Sequence, residues 1–212
     1  WKEEIESMIA DKSIDININM HPEIIRSGLQ YRIAKMLNHG HPLIYSTPTW
    51  LKNNLSSIDE IWQQLHYMSA LLYMINPGDF LILHLITSLH AMENIAQHMN
   101  ENQQREIIKC YWVGTLSILF SRAYFPSHSE LLALHHKYNT SYDLQNDLSI
   151  ETEWQQIIAN AIKEEEEHNP KMVYVLQRMW KQSGHRTIFR VAATHFTKTP
   201  KLPASFSMPP TD

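Results

Sequence analysis

Pro77-Gly78-Asp79-Phe80-Leu81-Ile82-Leu83-His84-Leu85-Ile86-Thr87-Ser88-Leu89-His90 settles the fold class. Pro77 and Gly78 break the chain, and Asp79 supplies a side-chain oxygen for the free N–H groups of a first turn. Apolar residues then recur at helical spacing, so a long apolar helix runs from Phe80 to about Met99. Before it, Ser57 and Glu60 make a capping box that opens a helix from Ile58 to Ile75. After it, a helix from Gln103 to Phe120 is apolar nearly all round beyond Ile107, as a central element must be.

Shorter helices are expected over Ser129–Tyr138, Ile150–Glu167, Pro170–Lys181 and Thr187–Phe196. Upstream, the pattern predicts helices over Lys2–Ala10 and Pro22–Leu37, the latter with Ile24, Ile25, Leu29, Ile33 and Leu37 along one face. Ser13–Met20 alternates and reads as extended, and Pro42–Leu55 reads as irregular. The chain is therefore expected to be all-α, a single multi-helix domain over residues 1–197 around a central apolar helix pair. Residues 198–212 form an extended tail, because the segment from Thr197 onward holds four prolines and little that packs.

Composition narrows the function. A net charge of −4 lacks the clustered basic surface that nucleic acid requires. The longest apolar runs, Met68–Ile75 and Phe80–Leu83, fall short of a membrane span. One cysteine, Cys110, cannot close an internal disulfide, which with the absence of a signal-peptide pattern points to the cytoplasm. Cys110 itself, mid-helix among apolar residues, reads as a core thiol. Five scattered glycines leave no loop able to cradle a dinucleotide or triphosphate. The chain opens on Trp1, so residues upstream of it are expected to be missing.

What remains for chemistry is histidine, of which there are thirteen, with Glu and Lys. Three constellations stand out. His21 precedes the Pro-led helix that carries Arg26, and is either a cap substitute or a group held at the helix mouth. His84 lies in the most apolar helix and needs a hydrogen-bond partner or a metal, with Thr87 one turn away as an orienting group. His90, six residues on, falls on a different side. The third is Glu164-Glu165-Glu166-Glu167-His168-Asn169-Pro170-Lys171. Its glutamates read as a solvated face, whereas Lys171 is expected near the buried side of the next helix with Val175 and Arg178. A lysine held inward beside His168 would titrate low, and could act as a base or take up carbon dioxide as a carbamate.

In this order the three segments resemble those of the questin oxidase-like family: His-x-x-Ile-Arg, His-x-x-Thr in an apolar helix, and acidic-His-x-x-Lys. Here they stand as His21 to Arg26 (one residue longer), His84 to Thr87, and Glu167 to Lys171. A further family histidine, in an Asn-His segment, has no counterpart before His21. The resemblance implies a helical oxidoreductase that opens a ring of a polycyclic aromatic, quinone-like substrate with oxygen. It also implies Fe(II) held by His21, His84, His168 and a carbamylated Lys171, with Arg26 and Thr87 orienting ligands or substrate, and an NADPH requirement. Imidazoles with one carboxylate-like oxygen suit Fe(II). Trp50, Trp62, Trp112 or Tyr111 would offer stacking faces to a flat ring. Two other readings compete: a non-catalytic all-α binding module without a complete metal site, and a helical hydrolase with a His and carboxylate centre.

Overall fold

The computed structural model describes residues 57–120, 126–164 and 166–198, together with Ile33, Leu37, Tyr45 and Ser46. His21, Arg26, Trp50 and the tail beyond Lys198 lie outside these residues, as do the expected helix at Lys2–Ala10 and the extended run at Ser13–Met20. Among the described residues there are seven helices: α1 (Ile58–Ile75), α2 (Phe80–Ala96), α3 (Glu101–Phe120), α4 (His128–Tyr138), α5 (Leu148–Lys163), α6 (His168–Gln182) and α7 (Thr187–Ala193). No strand occurs among them, only an isolated antiparallel bridge between Tyr142 and Arg186, so the all-α reading holds. No described helix is long and apolar enough to cross a membrane.

The local start signals work as the sequence predicts. Ser57 and Glu60 exchange hydrogen bonds, Ser57 N–H to Glu60 Oε2 at 2.9 Å and Glu60 N–H to Ser57 Oγ at 3.3 Å. Asp79 Oδ1 accepts from the N–H groups of Leu81 and Ile82, both at 2.9 Å. Ser127 and Glu130 repeat the capping box at α4, and Asp147 opens α5 two residues before the expected start. Pro170 sits inside the first turn of α6, where no intrahelical N–H is needed, so α6 begins at His168 rather than at the proline.

Helix α1 packs against α2, α4 and α7, α2 also packs on α3 and α6, and α6 on α5 and α7. Their shared core includes Trp112, Trp154, Tyr73, Ile82 and Leu83, all essentially inaccessible. Ile33 and Leu37, from the face expected to be apolar, pack against this core. Tyr45, in the stretch read as irregular, is helical, and its hydroxyl donates to the Leu37 carbonyl at 2.6 Å. Tyr111 Oη lies 2.7 Å from Ser69 Oγ and donates to the Leu85 carbonyl at 3.0 Å, tying α3 to α1 and α2. Burial pushes its phenol up to about 12.

Cys110 departs from expectation. It is exposed, because the buried side of α3 at that level is set by Ile108, Tyr111 and Trp112, and position 110 lies about 200° from both 108 and 112. Thr197, expected to start a loose tail, is 1% exposed. Its N–H donates to Asn169 Oδ1 at 2.9 Å, and its carbonyl accepts from Asn169 Nδ2 at 3.1 Å. Its hydroxyl donates to the Gly78 carbonyl at 2.8 Å. The Tyr73 hydroxyl donates to the His195 carbonyl. Residues 195–197 thus form a strap over the α1–α2 turn and the start of α6. Gly78, at φ +82°, is required there, since a β-carbon would stand 3.0 Å from the Phe196 carbonyl oxygen.

Candidate functional site

The strap holds the start of α6 against the start of α2, and two histidines meet at that junction. His84 belongs to the second turn of α2 and His168 to the first turn of α6; their ring centroids are 5.1 Å apart. Phe80, one turn before His84, lies edge-on to both rings at 4.9 Å from each. The sequence paired these two histidines only through a resemblance; the fold brings them together.

Each ring is anchored through Nδ1. His84 Nδ1 lies 2.7 Å from the Phe80 carbonyl oxygen, an acceptor only, so the proton is on Nδ1 and Nε2 carries the lone pair. His168 Nδ1 donates to Glu166 Oε1 in a short contact, and the same oxygen accepts the His168 backbone N–H at 3.2 Å. Neither Nε2 has a hydrogen-bond partner among the described residues. Imidazoles that ligate metals have this arrangement, with a carbonyl or carboxylate fixing the tautomer from behind. Burial lowers the His84 pKa, and the nearby charges of His168 and Lys171 push it the same way against the Phe80 carbonyl and Glu166. The ring is therefore neutral at pH 7, as a ligand must be.

Other expectations are revised. The orienting group of His84 is the Phe80 carbonyl, not Thr87, which is half-buried on the same helix. Lys171 does not turn inward. Its side chain is 57% exposed and pairs with Glu167 at 3.3 Å. The buried face of α6 runs through Asn169, Met172, Val173, Val175, Leu176, Met179 and Trp180; Val175 is buried as expected, but position 171 lies about 40° outside that face and about 200° from both 169 and 173. Trp62, Trp112 and Tyr111 are core residues, at most 3% exposed, and offer no open face to a flat ring. Glu166, expected on a solvated face, has a side chain only 14% exposed that serves His168. A carboxylate two residues before a helix-opening histidine was the one available signal.

Among the described residues no group of three or more His, Cys, Asp or Glu has the geometry to hold a metal. No curated protein and no solved structure matches the chain. A family model described as questin oxidase-like matches residues 3–176, well over half of the sequence and the whole of the His84–His168 junction. The chain belongs to the questin oxidase-like family.

Proposed function

We propose that the chain is an oxidoreductase whose His84 and His168 hold Fe(II), and that it uses oxygen to open a ring of a quinone-like polycyclic substrate. The observation that carries this reading is the pair of neighbouring imidazoles, each with Nδ1 engaged and with Nε2 free of hydrogen-bond partners among the described residues. Fe(II) supplies the one-electron chemistry that lets dioxygen attack a closed-shell aromatic. Following the family resemblance, His21 would be a third imidazole ligand and Arg26 a group that orients ligand or substrate; both lie outside the described residues. Phe80 gives the junction an apolar edge for a flat ring. Glu166 fixes the orientation and tautomer of His168 and would compensate part of the metal's charge. Lys171, paired with Glu167, adds positive charge near His84 and becomes a ligand only by leaving that pair and being carbamylated. NADPH would supply electrons without a glycine-rich binding loop on this chain.

Elemental analysis of the purified chain after anaerobic reconstitution with Fe(II) tests the reading, with His84→Ala and His168→Ala alongside. Near-stoichiometric iron in the parent, lost in both variants, is the expected result. Oxygen uptake with an anthraquinone, with and without NADPH, then tests the reaction. A parent chain that takes up no iron would leave a helical binding protein in place of an oxygenase.

A further inference from the structure

Helix α2 carries a second polar group on another side. Glu93 lies nine residues after His84, about 14 Å along the axis and half a turn away. Its Oε2 accepts from His66 Nε2 of α1 at 3.0 Å, and the His66 side chain is only 4% exposed. Burial alone would raise the Glu93 carboxyl, but the hydrogen bond and charge of His66, with His90 and Arg178, hold it below its usual value. Glu93 is thus ionised, and its Oε1 accepts no hydrogen bond from a described residue.

Above this pair opens a cleft of about 280 Å³, also lined by Gln63, Tyr67, Gln182 and Arg186. Arg186 is the uncommon member. Its guanidinium lies 4.6 Å over the Tyr67 ring and 5.5 Å from that of Tyr142, and Nη2 donates to the Tyr142 hydroxyl at 3.0 Å. Nε is buried without a partner, and no carboxylate of the described residues pairs with this side chain. Four residues on, Arg190 is held by both Asp143 and Glu153. An arginine fixed between two aromatic rings without an anion is organised to receive one, and its planar fork matches a carboxylate.

We propose that this cleft binds a small carboxylic acid that also carries a hydroxyl or ammonium group. The carboxylate pairs with Arg186 and the hydrogen-bond donor goes to Glu93. Glu93 and Arg186 place charges of opposite sign in one cleft, with the capping-box carboxylate of Glu60 also on its lining, and so favour a ligand with both kinds of group. The volume, at or below the lower end of ordinary ligand pockets, limits it to a short acid. Arg186 lies beyond the residues the family model matches, and the cleft shares no residue with the His84–His168 junction.

Calorimetry on the full chain with L-lactate, L-serine, propionate and propane-1,2-diol tests the assignment. Lactate or serine is expected to bind saturably. Propionate, which lacks the donor, and the diol, which lacks the carboxylate, bind at least about tenfold more weakly, or about 1.4 kcal/mol. Arg186→Gln abolishes acid binding at unchanged helicity, and Glu93→Gln reduces lactate to the level of propionate. His84→Ala leaves lactate binding intact, which separates this cleft from the metal reading. The discrimination among the four probes in the parent chain needs no variant to fold. No saturable binding of either substituted acid, equal binding of propionate, or full binding by folded Arg186→Gln would each overturn the proposal.

Discussion

Asn169→Ala tests the strap on which the histidine junction depends. Asn169 is fully buried and makes both of its hydrogen bonds to the Thr197 backbone, at 2.9 and 3.1 Å. Truncation leaves a buried N–H and a buried carbonyl without partners, each costing about 1–3 kcal/mol. Thr197 is itself 1% exposed, so water does not replace the lost amide without opening the strap. The total is about 2–6 kcal/mol, a fall in Tm of about 4–24 °C for a chain of this size. Asn169→Asp keeps an acceptor for the Thr197 N–H but faces the carbonyl with a carboxylate, so it should be no better than alanine at neutral pH. Thermal unfolding followed by far-UV circular dichroism gives both values. An alanine variant melting within about 2 °C of the parent would refute the reasoning, because two orphaned buried backbone groups cannot cost so little.

Two further predictions rest on side chains already described. Asp143 accepts from Trp180, from Thr187 and twice from Arg190; burial would raise its carboxyl, but those bonds hold it below the usual carboxylate range. Asp143→Asn should cost about 3 kcal/mol at neutral pH, the low end for a broken buried pair, since Arg190 keeps Glu153. A depressed carboxyl stabilises above its unfolded pKa of about 3.9 and loses that contribution as pH falls through the folded value. Urea midpoints of parent and variant should therefore converge below about pH 4, and a constant gap would contradict the assignment. Gly78→Ala forces a β-carbon into a left-handed conformation against a backbone carbonyl, and should cost at least about 2 kcal/mol by urea titration; a neutral effect would show that the strap gives way cheaply.

What the sequence made legible was local. Ser57 with Glu60, and Asp79 before Leu81, act within three residues of themselves, so their effect is written where they stand. Breaks at Pro77 and Gly78 were equally plain, as was the apolar character of α2. The missed features needed either a helix phase or a distant partner. Lys171 turned outward although Val175, one turn on, is buried as expected, because it lies about 40° farther from the middle of the buried face; Cys110 turned outward because its helix, read as apolar nearly all round, keeps an exposed side. Glu166 reads in sequence as one of three solvated carboxylates, Glu164 to Glu166, and only the start of α6 at His168 places an imidazole beside it. Asn169 and Thr197, 28 residues apart, carry no mutual signal in sequence. The same holds for Tyr67 and Arg186, which meet only after α1 and the start of α7 are packed.

The bond from Thr197 to Gly78 spans 119 residues. A contact of that reach closes late, since the intervening helices must be in place before it is worth its loop entropy. On the ribosome it cannot form until the last described turn of the chain has emerged. The His84–His168 junction is therefore an end product of synthesis: through α6 the chain has both imidazoles, but not the clasp that keeps them side by side. A redox-active ion loaded at this junction would enter a finished fold, and a nascent or truncated chain would lack the geometry to retain it.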